Sequence, residues 1–192
     1  MKRAAIVFHS VCGNTWLLAR EYQRALEQLG VSCAMFRVPD PNFERLAPQF
    51  EAARECAEGI RAVPVIEDPA QLLAYDALFF GSPTYFGNVS AAMKAFMDAC
   101  GVFWTEAALA GKRFGAFSST GTPQGAGDVC LLALNVFAQH MGMLPLPVPA
   151  NIAGRAQPAY GVLHFAGELA LERPDEETRA AIFDYLSRAV AL

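Results

Sequence analysis

The sequence predicts an α/β domain, a doubly wound sheet of five parallel strands in the order 2-1-3-4-5 with helices on both faces. Three observations predict it. Short β-rich runs alternate with stretches of helical periodicity along the chain. Most of those runs are nearly continuous in apolar residues, as strands covered on both faces are. The 192 residues, 54% hydrophobic and 18% charged, suit one domain with a full core, so a single domain over 1–192 is expected.

The elements follow in order. A-A-I-V-F-H (4–9) is the first strand; its apolar run ends at His9 and Ser10, too early for a signal-peptide core. Leu18, Tyr22, Ala25, Leu26 and Leu29 then form a helical stripe that Gly30 terminates. S-C-A-M-F-R-V (32–38) is the second strand, and residues 39–70, rich in proline and glutamate, show mixed periodicity. A-L-F-F-G (77–81) is the third strand, followed by a stripe of Val89, Met93, Phe96 and Cys100. F-G-A-F-S (114–118) is the fourth, and residues 129–141, apolar nearly all round, predict a helix buried on more than one side. M-L-P-L-P-V (143–148) is the fifth strand. Residues 149–174, with Gly154, Pro158, Gly161 and Gly167, read as an ordered insertion near the C-terminal part. The last helix carries Ala181, Ile182, Tyr185, Leu186 and Ala189, and opens with Asp175, Glu176 and Glu177 at the positive end of its dipole.

Composition removes several functions. A net charge of -4 and a pI near 5.4, with no block of like charges, leave no electrostatic footprint for nucleic acid or an anionic membrane. No apolar stretch approaches the roughly 20 residues that cross a bilayer. Cys12, Cys33, Cys56, Cys100 and Cys130 are scattered without a C-x-x-C pair, so neither a disulfide framework nor a metal site is expected, and reduced thiols imply a cytoplasmic setting. A mean hydropathy of +0.24 is high for a small monomer and predicts a homo-oligomer, dimer or tetramer.

In this sheet order the loops after strands one, three and four lie side by side at the carboxyl edge, where ligands bind. The first loop is Ser10, Val11, Cys12, Gly13, Asn14 and Thr15, running straight into a helix. Free amides at the helix start, with hydroxyl and carboxamide donors, make an anion site that contains no lysine or arginine. It lacks both G-K-[ST] and G-x-G-x-x-G, which leaves a compact phosphomonoester; taken alone, it reads equally as an ordinary capped turn. The second loop, Pro83, Thr84, Tyr85, Phe86, Gly87 and Asn88, offers a tight backbone and aromatic surface to a flat heteroaromatic ring. The third, Ser119, Thr120, Gly121, Thr122, Pro123 and Gln124, is dense in small donors that reach ring carbonyls and nitrogens. Phosphate cradle, ring face and ring edge together match FMN.

The stretches S-V-C-G-N-T, Y-D-A-L-F-F-G-S-P-T-Y-F-G-N, F-W-T-E-A-A-L-A-G-K, F-S-S-T-G-T, H-M-G-M and P-A-Y-G, in this order and over nearly the whole chain, resemble the WrbA family of flavodoxin-like NAD(P)H:quinone oxidoreductases. The resemblance implies a flavodoxin-like fold, tetrameric assembly, one FMN per subunit and an active site near subunit contacts. It implies FMN contacts at residues 10–15, 84–86 and 119–124 and at His140, and nicotinamide or quinone contacts at Cys12 and Trp104. Without it, His140 on an apolar helix reads as a core histidine and Trp104 as an anchor. Cys12 stands where the family usually has an aromatic, Tyr85 where arginine is common, and Pro123-Gln124 where two glycines are usual, which bears on substrate choice more than on flavin binding.

The expected reaction is ping-pong, with NAD(P)H as co-substrate and a quinone-like acceptor; the flavin carries the chemistry and no catalytic acid, base or nucleophile is assigned. The competing reading is a flavodoxin-type one-electron carrier, which usually has a strongly acidic surface. His9 and His164 read as structural.

Overall fold

Strand β1 (Arg3–Phe8) lies between β2 (Ser32–Arg37) and β3 (Ala77–Pro83) in the computed structural model, which describes all 192 residues. β4 (Arg113–Thr120) follows β3, and every pairing is parallel. Helices α1 (Asn14–Gln28) and α6 (Glu176–Ala191) cover one face; α4 (Ala91–Ala99) and α5 (Gly127–His140) cover the other. The period of two along each strand divides the core. Ala4, Ile6, Phe8 and Phe79 pack under α1 and α6, whereas Ala5, Val7, Leu78 and Phe80 pack under α4 and α5. Full burial of each large apolar side chain contributes about 1.5–3 kcal/mol. Tyr22 of α1 stacks on Phe117 with ring centroids 4.7 Å apart.

The sheet order is β2-β1-β3-β4-β5, as the sequence predicts, but the fifth position differs in detail. Two short strands share it. β5 (Leu144–Pro145) pairs with the start of β4, and β6 (Val162–Phe165) pairs with its end, from Phe117 opposite Val162 to Thr120 opposite Phe165. The reason is proline. The Leu146 amide still donates to the Phe114 carbonyl at 2.7 Å, but Pro147 has no amide and the ladder stops. The chain leaves the sheet and returns through Gly161, whose φ is 148° and where a Cβ would lie 2.2 Å from the Ala116 carbonyl oxygen. The buried Tyr185 hydroxyl donates to the Leu146 carbonyl at 2.8 Å beside the break.

A second difference concerns α5. Cys130, Leu131, Leu134 and Ala138 are buried, but Val129, Leu132 and Val136 are 51, 41 and 43% exposed. One face packs on the sheet, and the opposite apolar face is uncovered rather than buried. Residues 39–70 resolve into short helices, α2 (Phe43–Leu46) and α3 (Ala57–Ala62), with 3₁₀ turns between them. No helix is long and apolar enough to cross a membrane.

Candidate functional site

The carboxyl edge of β1 passes into α1 through Gly13, whose φ of 102° is strained for any residue with a Cβ. A Cβ there would also lie 2.4 Å from the Cys56 sulfur. The Gly13 amide donates to Ser10 Oγ at 3.2 Å, and no side chain caps the helix. The amides of Val11, Cys12, Asn14, Thr15 and Trp16 have no acceptor within the chain. They precede or open the first turn of α1, at the positive end of its dipole, where free amides can bind an anion.

Neighbouring loops close this cradle. Thr15 Oγ1 and Ser119 Oγ are hydrogen-bonded at 2.9 Å, both buried. Asn14 Nδ2 donates to the Ala170 carbonyl at 2.7 Å, which leaves Asn14 Oδ1 buried without a partner. The Thr84 amide donates to the Ser119 carbonyl at 2.9 Å, and Thr84 Oγ1 bonds Ser118 Oγ at 3.0 Å. Tyr85 and Asn88 exchange backbone hydrogen bonds of 2.9 and 3.0 Å around Phe86 (φ 51°) and Gly87 (φ 75°). Two successive left-handed residues make a type I′ turn, and phenylalanine is costly in its first position. The turn places Phe86 wholly in solvent at its tip, with the Tyr85 ring half-exposed beside it.

The resulting cavity, about 180 Å³, is lined by Ser10, Val11, Cys12, Gly13, Asn14, Thr15, Pro83, Thr84, Tyr85, Ser119, Thr120 and Gly121. Ala166, Gly167, Glu168 and Ala170 complete it. The three predicted loops therefore do meet, joined by a segment after β6 that the sequence reading left in the insertion. Phe86 and Asn88 line an adjoining cavity of about 560 Å³ with His9, Asp40, Tyr85 and the first residues of α4. Gly87, Thr122, Pro123 and Gln124 stand outside both walls.

Two predicted contacts are not brought to the cradle. His140 is exposed at the far end of α5, and the 14 residues of that helix put it about 20 Å from the helix start at the carboxyl edge. Trp104, 63% exposed, follows α4 on the stretch that leads back to the amino end of β4.

No basic residue lies within the first loop, but one stands against it from outside. Arg173 Nη1 donates to the Cys12 carbonyl at 3.0 Å and to the Ala170 carbonyl at 3.2 Å, and Nη2 donates to the Ala52 carbonyl at 2.6 Å. A guanidinium thus stands behind the loop, although none lies within it. Burial raises the Cys12 thiol above its ordinary range while Arg173 pulls the other way, so Cys12 remains a neutral wall residue. His9 Nε2 bonds Asp40 Oδ2 at 2.9 Å in the wall of the larger cavity, and that bond is the main cause holding the Asp40 carboxyl below its usual range. His164 Nε2 bonds the Glu172 carbonyl at 2.9 Å, beside the cradle's last segment.

FMN fits these residues. Free amides would suit its phosphate, the orphaned Asn14 Oδ1 would accept from a hydroxyl, and the exposed aromatics of the second loop would offer a surface to a flat ring.

Comparison with known proteins agrees. Residues 4–157 match the family described as NADPH-dependent FMN reductase. An NAD(P)H dehydrogenase (quinone) from Archaeoglobus fulgidus is 36% identical over 166 residues, 84% of each chain. Another from Syntrophus aciditrophicus is 32% identical over 194 residues, covering 97% of this chain and 94% of its own. A WrbA-like flavodoxin from Agrobacterium tumefaciens superposes with a TM-score of 0.61 at 26% identity, covering 98% of this chain and 99% of its own. Most of the sequence and all of the sheet point one way, and this chain belongs to the NADPH-dependent FMN reductase family.

Proposed function

We propose that this flavodoxin-like oxidoreductase holds FMN in the cradle and uses it for ping-pong turnover, in which NAD(P)H gives up its hydride and leaves as NAD(P)+ before a quinone-like acceptor enters. The observation that carries the reading is the set of unpartnered amides at residues 11, 12, 14, 15 and 16 beside an aromatic turn and a second, larger cavity. FMN, when bound, supplies acceptance of a hydride and delivery of two electrons. The protein binds and orients. Residues 10–15 and Ser119 hold the phosphate, Asn14 Oδ1 accepts from a ribityl hydroxyl, and Tyr85 and Phe86 present aromatic surface. Donors of residues 119–124 serve the ring edge. Cys12 stands at the wall that nicotinamide and acceptor share. No side chain is assigned as acid, base or nucleophile, because positioning beside the cofactor accounts for the transfer.

The chain acts as a homo-oligomer in this reading, dimer or tetramer. Val129, Leu132 and Val136 follow one helix face, which His140 continues, and Val102 and Trp104 add exposed apolar surface. A second copy on this stripe buries it and brings His140 and Trp104 toward a partner's site. Five free thiols accord with a cytoplasmic setting.

Initial rates measured over a grid of NAD(P)H and benzoquinone concentrations test the mechanism. Parallel double-reciprocal lines are expected; intersecting lines would require both substrates to be bound together and would overturn it.

A further inference from the structure

We propose that Arg173 is the positioning residue that makes the cradle select phosphorylated flavin over riboflavin, acting through the Cys12–Gly13 peptide without touching the phosphate. The proposal rests on the FMN reading above.

Arg173 joins its own segment to two distant ones, bonding the carbonyls of Cys12 in the first loop, Ala52 in the 3₁₀ turn before α3, and Ala170 in the nearby stretch that closes the cavity. Its charge is otherwise unpaired. Arg155, Arg179 and Arg188, in the same C-terminal part of the chain, each form ion pairs with carboxylates, whereas no carboxylate lies within 4.0 Å of Arg173. A half-buried guanidinium balanced only by carbonyl dipoles leaves a positive potential around it. The loop lies within that potential, since Nη1 bonds the Cys12 carbonyl at 3.0 Å and would lie 3.5 Å from a Cβ on Gly13.

The same bonds set the loop's geometry. In a trans peptide the carbonyl and the following amide point in opposite directions. Holding the Cys12 oxygen toward Arg173 removes an acceptor from the anion's side and turns the Gly13 amide toward Ser10 Oγ. Three of the five guanidinium N–H donors are spent on carbonyls and Arg173 is not part of the cavity wall, so the phosphate oxygens are left to the loop amides, and the arginine contributes long-range attraction. Riboflavin carries no charge to feel it.

Dissociation constants of FMN and riboflavin, read by quenching of flavin fluorescence at low and high salt, test the proposal on the wild-type chain, Arg173→Gln and Arg173→Lys. Arg173→Gln is expected to weaken FMN at least tenfold more than riboflavin, and Arg173→Lys to keep most of the discrimination. The FMN preference of the wild type is expected to fall with salt. A readout on the unaltered chain covers a glutamine variant that fails to fold. The ³¹P signal of bound FMN should stay constant well below the ordinary second phosphate pKa of about 6. Equal loss for both flavins, an unchanged FMN affinity in Arg173→Gln, or a bound phosphate that titrates near pH 6 would overturn the role of Arg173. A wild-type chain that binds neither flavin would instead refute the FMN reading, and this proposal with it.

Discussion

Thr15 Oγ1 and Ser119 Oγ meet at 2.9 Å across 104 residues of sequence, both buried, and so tie the first turn of α1 to the end of β4. Thr15→Val keeps the shape but deprives Ser119 of its partner and the cradle of a hydroxyl. Stability should fall by about 1 kcal/mol in urea unfolding. FMN affinity should fall roughly tenfold, the equivalent of about 1.4 kcal/mol. Unchanged affinity would show that this hydroxyl pair is not part of the phosphate site.

Gly13→Ala meets two obstacles, a φ of 102° and the Cys56 sulfur 2.4 Å from the new Cβ. Backbone strain alone costs roughly 1–3 kcal/mol, and the clash adds to it. Cys56→Gly removes both the sulfur and the Cys56 Cβ, which would lie 2.6 Å from the new Cβ, and leaves the strain, so the double variant should recover part of the lost stability. A double-mutant cycle by thermal or urea unfolding reads this directly. Strict additivity would place the two residues farther apart than the structure does.

Phe86→Asn relaxes the strained turn, because asparagine tolerates a φ of 51° far better than phenylalanine does. The protein should gain roughly 0.5–1 kcal/mol of stability. The price is function. Loss of the aromatic face should raise KM for a quinone by about two- to tenfold, in line with an aromatic contact of about 0.5–1.5 kcal/mol. A variant that is less stable, with unaltered KM, would contradict both parts.

Asp175 caps α6: its Oδ1 accepts from the Thr178 hydroxyl at 2.7 Å and from the Thr178 amide at 2.9 Å. These bonds, with Arg155 adding to them, lower its carboxyl pKa from 3.8 to about 2. A depressed carboxylate pKa stabilises the fold above the unfolded value, and the gain is lost as pH falls through the folded one. Asp175→Ala should therefore cost about 1 kcal/mol at neutral pH. The difference from wild type should shrink as pH falls from about 4 to about 2, as urea midpoints at a series of pH values would show. A difference that does not vary with pH would deny the charged cap.

Leu132→Glu places charge in the centre of the exposed α5 stripe, where Leu132 is 41% exposed in the single chain. Light scattering should show a smaller species than the wild type, with secondary structure unchanged. If the wild type is itself monomeric at all concentrations, the oligomer reading falls.

Much of the sheet was legible because strands buried on both faces leave unbroken apolar runs, as in Ala5 to Phe8 and Leu78 to Phe80. The fifth strand misled for a physical reason. M-L-P-L-P-V has the apolar content of a strand, yet Pro147 removes the amide that would extend the ladder, while V-L-H-F between two glycines is short enough to pass for loop. On α5, composition cannot distinguish a second buried face from one that awaits another molecule, and Val129, Leu132 and Val136 turned out to be exposed. The cradle's first loop was readable from the general fact that helix starts leave amides free. Arg173 was not, because a guanidinium that bonds backbone carbonyls 161 and 121 residues away leaves no spacing pattern to find. Nor was the segment after β6, whose contribution to the cavity depends on the return through Gly161.

FMN binding in the cradle is tested most directly by a titration of the flavin-free protein with FMN, followed by quenching of the flavin's fluorescence. Saturable binding at one FMN per chain is expected, weakened by Thr15→Val. A folded wild-type chain that leaves the fluorescence of added FMN unchanged would contradict it.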